Sequence, residues 1–397
     1  MPSVCVVGLG YVGFPLAELC ARKGYIVYAL ENDPQKVQRI QNERPDFHLN
    51  HPDALKTETI VICVPTPVDE KKLPDLTFVE GVAREVAEHL DDSGRLVVLE
   101  STVNPFVSRN AVLPILESSG YTEGKDFFLA HCPERIDPGN PVWNVSNIPR
   151  VIGAMNQIGL EKALAFYRHV LDAGVHPLSS IEAAEMVKIY ENSLRATNIA
   201  FANEMAIIMQ NMKLDAKEII EAVKTKPFGL NMCSPGPGVG GHCIPVDPFY
   251  LINESQKFGF EPSFLRTAMR VNSYMPGYTV SLLTSAMNEA GKSVKGSKVG
   301  ILGVSYKKDV GDIRESPALE VIRRVKGLGA DLKIYDPLVP SHSNASVDEV
   351  MRCDAVMLLT DHTPFHILVF SDVPVVIDAR NVLDRTKIKG VYKGIGR

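Results

Sequence analysis

No run in this 397-residue chain approaches the roughly 20 apolar residues that a membrane-crossing helix needs, so no membrane association is expected. Basic residues are not in excess either. The 42 Lys and Arg face 47 Asp and Glu, a formal net charge of −5. A surface that tracks phosphodiester backbones usually needs the opposite balance, so nucleic acid is not an expected partner. Cysteines are few, odd in number at seven, and scattered. They form neither a disulfide framework nor a zinc-spaced pattern, and no metal site is expected. Cys5, Cys20 and Cys63 sit within apolar runs, where an inert buried thiol is the ordinary outcome. Met1-Pro2-Ser3 passes directly into a strand-like run with no basic leader, and a reducing cytoplasm is the expected setting.

What is present is the composition of a globular chain, 45% hydrophobic and 22% charged, long enough for two or three domains. Val4 to Val7 reads as a buried strand, and helical periodicity follows through Leu16, Leu19 and Cys20 to Gly24, a suitable cap. Tyr25–Leu30, Thr59–Val64, Leu96–Leu99 and Phe127–Ala130 are further strand-like runs with helical segments between some of them. That alternation predicts a parallel, doubly wound sheet.

The texture changes after about residue 178. Ser179-Ser180-Ile181-Glu182 offers a capping box, and helical periodicity runs on to about Met212. The chain to Asn288 then reads as mostly helical, broken by a Pro/Gly-rich stretch at Pro227–Pro248. A second strand–loop–helix pattern begins at Lys298–Gly303 and continues with Leu332–Tyr335, Ala355–Leu359 and Val375–Ile377. The expected architecture is therefore α/β, with two Rossmann-like doubly wound domains joined by a central helical segment. Their bounds read 1–178, 179–292 and 293–397, and the helical segment is the natural face for a homodimer or larger homo-oligomer.

Gly8-Leu9-Gly10-Tyr11-Val12-Gly13 is a G-x-G-x-x-G run set between a strand and a helix. Its glycines allow a tight turn, close approach of a pyrophosphate and close helix–strand packing. The helix start adds N–H donors and a positive dipole end. Glu31 ends the second strand, where a ribose-binding carboxylate is needed. A carboxylate there repels a 2′-phosphate, so the expected cofactor is NAD rather than NADP. A lone glycine loop is often just a turn, and a lone Glu31 just a solvated charge; their combination favours the dinucleotide reading.

The densest chemical signal is Pro235-Gly-Pro-Gly-Val-Gly-Gly-His-Cys-Ile-Pro-Val-Asp247. Most cysteines are small buried hydrophobes. A thiol presented on a Gly/Pro loop, with a carboxylate four residues on, is instead placed for reaction. Lys188 and Asn192 lie i, i+4 on one helical face, where an ammonium and a carboxamide can hold a developing oxyanion. Glu100-Ser101-Thr102-Val103 and His131-Cys132-Pro133-Glu134-Arg135 each follow a buried strand, at the edge where ligands of such sheets bind. Glu134 or Asp247 could act through a water as general base, and solvated loop polarity is the competing reading for each.

These residues taken together resemble the UDP-glucose/GDP-mannose dehydrogenase family over almost the whole chain. The markers are the glycine loop, Val64-Pro65-Thr66-Pro67, Glu100 to Val103, Pro133-Glu134-Arg135 and Lys188 with Asn192. They continue with Gly240-Gly241-His242-Cys243 through Asp247, Tyr306-Lys307, Arg314-Glu315-Ser316 and Asp378-Ala379-Arg380-Asn381. Thr225-Lys-Pro-Phe-Gly229, Gly240 to Tyr250 and Glu134-Arg-Ile-Asp-Pro-Gly-Asn140 are similar to the UDP-N-acetylglucosamine 6-dehydrogenase branch. UDP-N-acetylmannosamine and UDP-glucose remain the alternative substrates.

The resemblance implies a four-electron oxidation of the sugar C6 alcohol to a uronate for glycan precursor synthesis. Two NAD+ and a thioester on Cys243 carry it, with Asp247, Lys188, Asn192, Glu134 and Thr102 managing protons, oxyanions and water. It assigns Gly8, Gly10, Tyr11, Val12, Gly13, Glu31, Pro65, Thr66, Thr102 and Arg314 to the cofactor. Glu134, Arg135, Lys188, Asn192, Gly240, Lys307 and Arg380 fall to the UDP-sugar. The chain departs from the family in three places: Glu31 for the more usual Asp, a short stretch from Gln41 to Thr57, and Asn104-Pro105-Phe106 for Pro-Pro-Gly. A two-electron hydroxyacid dehydrogenase shares the glycine loop and the Lys188/Asn192 pair but leaves the Cys243 loop without a use. A nucleotide-sensing module without activity would have no need of Cys243, Lys188, Asn192 and Asp247 together.

Overall fold

A computed structural model describes residues 1–69, 74–137 and 139–397. Pro138, part of the Glu134–Asn140 motif, lies outside the described residues. The chain divides into two compact units: Met1–Glu191 with Phe249–Phe260, and Asn192–Pro248 with Glu261–Arg397. The expected central helical segment is thus shared between them. Among the described residues no helix is long and apolar enough to cross a membrane.

In chain order the first unit contains β1 (Ser3–Val7), α1 (Gly13–Arg22), β2 (Ile26–Leu30), α2 (Pro34–Glu43), β3 (His48–Leu49), β4 (Thr59–Ile62) and α3 (Thr77–Ala87). It continues with β5 (Arg95–Leu99), α4 (Leu113–Glu117), β6 (Phe127–His131), β7 (Arg150–Ala154), α5 (Gln157–Val170) and β8 (Val175–Pro177). The strands order β3-β2-β1-β4-β5-β6-β7-β8. The chain works outward from β1 and returns through β4, so the sheet reverses direction between those two strands; a doubly wound sheet opens a ligand crevice at that point. The interiors of β1, β4, β5 and β6 alternate into two apolar cores, one on each face. Val4, Val6, Val61, Val98 and Ala130 point into one, and Cys5, Ile60, Ile62, Val97 and Leu129 into the other.

The sheet is not wholly parallel as expected: β6 and β7 pair antiparallel. The reason is connectivity. The described residues between His131 and Arg150 contain no helix, and a parallel return needs a crossover while an antiparallel one does not. The short strands β3, β7, β8 and β13 (Val391–Gly394) also carry no long apolar run to announce them.

Helix α6 (Ile181–Asn211) follows. Its cap is the Ser180 hydroxyl, which accepts the Ala183 N–H at 3.1 Å, rather than a Ser179–Glu182 box. Then come α7 (Ala216–Lys224), α8 (Asp247–Lys257), whose first residue is Asp247, and α9 (Ser263–Glu289).

The second unit's sheet is built from β9 (Lys298–Leu302), α10 (Pro317–Gly327), β10 (Asp331–Tyr335), α11 (Val347–Met351), β11 (Ala355–Leu358), β12 (Val375–Asp378) and β13. Its order is β10-β9-β11-β12-β13, all parallel. It too reverses beside its first strand, so the fold class is the expected one: two Rossmann-like sheets with helices between them in sequence. One face packs Val299, Ile301, Met357 and Ile377 against α9 and α10, and the other packs Leu302, Val356 and Val376 against Val350 and Phe365.

Candidate active site

In the first unit the glycine loop is shaped by steric necessity. A Cβ on Gly8 would come within 2.9 Å of the Cys63 carbonyl oxygen, and one on Gly13 within 2.0 Å of the Gly8 oxygen. Gly8 also has φ +90°, open to glycine at no steric cost. Gly10, by contrast, faces open space. Val12 precedes α1 with no side-chain cap, so the helix start offers its donors and dipole outward, as a pyrophosphate requires.

Glu31 stands just past β2. Its Oε2 accepts the Leu9 N–H at 3.1 Å, and its Oε1 accepts those of Asn32 and Asp33 at 3.1 Å each. Lys36 approaches it at 3.6 Å. The carboxylate is thereby fixed beside the glycine loop, with Oε1 filled by two N–H groups and Oε2 keeping one lone pair for a ribose hydroxyl. A residue the sequence did not single out supports it: Asn50 accepts the Glu31 N–H and donates to its carbonyl, both at 3.0 Å. These features fit an NAD dinucleotide on an observation of its own, the bare space over Gly10 beside an anchored carboxylate.

The segments leaving β4 and β5 are tied to each other. The Thr66 hydroxyl donates to the Thr102 carbonyl at 2.7 Å, Ser101 to the Val64 carbonyl at 2.7 Å, and Tyr250 of α8 to the Thr66 carbonyl at 2.5 Å. Pro65 is exposed, as are Gly10 and Tyr11; Val12 is half-buried. Phe106 adopts φ +75°, a left-handed conformation that costs a non-glycine residue on the order of 1–2 kcal/mol.

Two expected edge residues turn inward instead. Glu100 is fully buried, with Arg150 at 3.3 Å and the Tyr167 hydroxyl at 2.5 Å. Burial pushes its carboxyl up and the Arg150 charge opposes that. His131 is buried as well, and desolvation lowers its imidazole to about 3, so it is neutral. Both belong to the interior because side chains alternate across a strand and its extension. Of the pair that follows β6, Glu134 is buried and accepts the Ile136 N–H, while Arg135 pairs with Glu191 of α6 and donates to the Pro149 carbonyl at 3.0 Å. Lys188 is buried on the same helix.

In the second unit the thiol loop is moulded on the Tyr306 side chain. A Cβ on Gly240 would lie 2.5 Å from Tyr306 Cβ, and one on Gly241 2.9 Å from its ring. The Gly241 N–H donates to the Arg314 carbonyl at 2.9 Å. Arg314 itself is held by Asp312, Nη2 to Oδ2 at 2.6 Å. Burial and the nearby Arg314 charge lower the His242 imidazole below its usual value, so it stays neutral at pH 7.

Cys243 is half-buried, and its carbonyl accepts the Asp247 N–H at 2.8 Å, so the loop runs straight into α8. Asp247 is 2% exposed and accepts from Asn192 Nδ2 at 2.5 Å. The substrate candidates of the β9–β13 sheet gather here too. Arg380 donates to the Leu359 carbonyl at 2.7 Å and to the Tyr306 carbonyl at 3.4 Å, and its guanidinium would meet a Cβ on Gly236 at 3.1 Å. Lys307 follows Tyr306 and is half-buried. Cys243, Asn192, Asp247, Gly240, Tyr306, Lys307, Arg314 and Arg380 therefore belong to one unit. Gly8 to Gly13, Glu31, Thr66, Thr102, Glu134, Arg135 and Lys188 belong to the other.

Comparison with known proteins identifies the assembly of parts. Residues 47–171 match the NAD-binding domain of the UDP-glucose/GDP-mannose dehydrogenase family, 182–274 its central domain and 300–385 its UDP-binding domain. A UDP-N-acetyl-D-mannosamine dehydrogenase of Pyrococcus horikoshii is 31% identical over 99% of both chains. A UDP-N-acetyl-D-glucosamine 6-dehydrogenase of Pseudomonas aeruginosa is 35% identical over 85% of this chain and 83% of its own. Among solved structures, a UDP-glucose dehydrogenase of Pyrobaculum islandicum superposes with a TM-score of 0.90 at 28% identity, covering 100% of this chain and 98% of that one. The chain belongs to the UDP-glucose/GDP-mannose dehydrogenase family and is an NAD-dependent oxidoreductase of UDP-sugars.

Proposed function

We propose that the chain oxidises the C6 alcohol of a UDP-N-acetylhexosamine, UDP-N-acetylglucosamine first, to the uronate through a thioester on Cys243. NAD+, when bound, supplies the hydride acceptor, twice per sugar. The C6–H bond and the hydroxyl proton leave to give an aldehyde. The Cys243 thiolate adds to it, the thiohemiacetal loses the second hydride, and water cleaves the thioester to carboxylate and thiolate. The balance is one alcohol, two NAD+ and one water in; one carboxylate, two NADH and three protons out.

The observation that carries this reading is the Cys243 loop itself: a thiol on glycines moulded to Tyr306, with Asp247 hydrogen-bonded to Asn192. Lys188 and Asn192 hold the oxygen as its charge develops. Asp247, Glu134 and Thr102 order the water and its proton, while Arg135, Gly240, Lys307 and Arg380 bind the UDP-sugar. Gly8 to Gly13, Glu31, Pro65, Thr66, Thr102 and Arg314 serve the dinucleotide.

We assign these roles to domains bounded at 1–178, 179–292 and 293–397. The exposed stripe of Tyr190, Leu194, Phe201 and Ile208 on α6 supports a homodimer or larger assembly. UDP-N-acetylmannosamine is the second reading, favoured by the full-length match to the Pyrococcus protein so named. Incubation with UDP-N-acetylglucosamine, UDP-N-acetylmannosamine and UDP-glucose decides. The true substrate yields two NADH per uronate by absorbance and mass spectrometry. One NADH per turnover, or turnover of UDP-glucose alone, overturns the proposal.

A further inference from the structure

One buried carboxylate has no part in the scheme above. Glu185 lies on α6 three residues before Lys188 and is wholly buried. Its Oε2 accepts the N–H of Phe106 at 2.7 Å and its Oε1 the N–H of Ser108 at 2.8 Å. Both donors belong to the segment that leaves β5, and the same segment carries Thr102 and Asn104.

The near end of that segment is held by the Thr66 hydroxyl on the Thr102 carbonyl. At the far end the Asn110 N–H holds the Phe106 carbonyl at 2.8 Å, and the Glu185 clasp holds the N–H of Phe106 itself, whose backbone is left-handed at φ +75°. A carboxylate suits this task because it is acceptor-only and offers an oxygen to each N–H. An amide would present its NH2 to one of the two donors. Burial raises the Glu185 carboxyl to about 7. Keeping an ionised group here therefore opposes stability, and a purely structural prop would be better neutral.

We propose that Glu185 is a positioning residue for the dehydrogenation: by clasping the Phe106 and Ser108 N–H groups it fixes the Thr102–Ser108 segment, and with it the part of the cofactor site assigned to Thr102, to the helix that bears Lys188. The proposal rests on the roles given to Thr102 and Lys188 above.

Glu185→Gln and the double variant Glu185→Gln with Phe106→Gly test it in the full chain. At pH 8 we measure Tm, the Kd for NADH by fluorescence without sugar, and kcat and KM for NAD+ and for the UDP-sugar. Glu185→Gln should keep its Tm within a few degrees. It should raise the NADH Kd and the KM for NAD+ about 10-fold, with the sugar KM changed less than about 2-fold. Glycine at 106 holds a positive φ unaided, so the double variant should recover most of that loss. An unchanged NADH Kd in Glu185→Gln overturns the proposal. So does a loss that follows Tm downward and is not recovered by glycine, which would make Glu185 a prop. Because the NADH Kd is read without sugar, it remains informative if wild-type protein oxidises none of the UDP-sugars, a result that would sink the functional reading alone.

Discussion

Asn192 Nδ2 donates to Asp247 Oδ2 at 2.5 Å, tying the interior of α6 to the first residue of α8. One hydrogen of the carboxamide is committed by this bond, and the plane of the amide is set with it. The second hydrogen is then aimed without freedom to rotate, which is what an oxyanion donor needs. Asp247→Asn keeps an acceptor oxygen but removes the charge. We expect kcat to fall about 10²-fold or more with the NADH Kd within about 2-fold of wild type. Equal kcat in the variant would remove Asp247 from the proton-handling group.

Cofactor choice should follow Glu31. Three backbone N–H groups and Lys36 already hold its carboxylate, so it cannot swing aside for a 2′-phosphate. NAD+ should exceed NADP+ in kcat/KM by at least about 100-fold. Glu31→Ser removes the repulsion and leaves Lys36 to meet the phosphate, so the ratio should fall by more than about 10-fold. Asn50→Ala, which loosens the Glu31 backbone without touching the carboxylate, should weaken NADH binding by a smaller factor. Fluorescence titrations with NADH and NADPH report all three.

Much of this is legible in the residues alone. The glycine loop, Glu31 and the Cys243 loop are short-range patterns, in which chemistry and backbone requirement lie within a few positions. What stayed hidden depends on contacts between distant positions. Nothing near Glu100 announces that Arg150 and Tyr167 will bury it. Asn50 carries no local signal for its grip on Glu31. Tyr306 was visible as a motif, but its role as the surface against which Gly240 and Gly241 are moulded appears only when β9 and the loop meet. Glu185 was the recoverable one: it sits one turn from Lys188, and a carboxylate at that spacing on a buried helical face needs partners.

The Glu100–Arg150 pair should be structural. Arg150→Met leaves Glu100 buried with its bond from the Tyr167 hydroxyl but without the neutralising cation. Breaking a buried pair on one side costs about 3–5 kcal/mol. Chemical denaturation should show a loss of that size. The double variant Glu100→Gln with Arg150→Met should recover part of it, since no charge is then stranded. If Arg150→Met costs under about 1 kcal/mol, water reaches the site and the burial argument fails.

Glu185 also predicts a pH dependence of stability. Its carboxyl stands at about 7 in the folded chain against an ordinary 4.5, chiefly through desolvation, with the neighbouring Glu182 charge adding to the rise. Between those values the folded state binds more protons than the unfolded one, so stability from this group declines as pH rises from about 4.5 to about 7. Glu185→Gln lacks the titration. The Tm of the variant minus that of wild type should therefore grow more positive from pH 5 to pH 8. A difference that stays flat across that window would show that Glu185 does not titrate there.

The covalent step gives the sharpest prediction. Cys243→Ser keeps the size and polarity of the side chain on a loop whose shape is fixed by Gly240, Gly241 and Tyr306, so the fold should be unchanged. The first hydride transfer does not formally need the thiol, and NADH and UDP-sugar should bind as before. A serine hydroxyl is a far weaker nucleophile than a thiolate, and an oxygen ester is cleaved more slowly than a thioester. Uronate formation should fall by at least about 10³-fold. Aldehyde or a trapped ester should then be the detectable product, the latter as added mass on the peptide carrying position 243. Cys243→Ala should form no adduct at all, which separates a slow nucleophile from none. Near wild-type release of two NADH per sugar by either variant would remove the thioester from the mechanism and return Cys243 to a packing role.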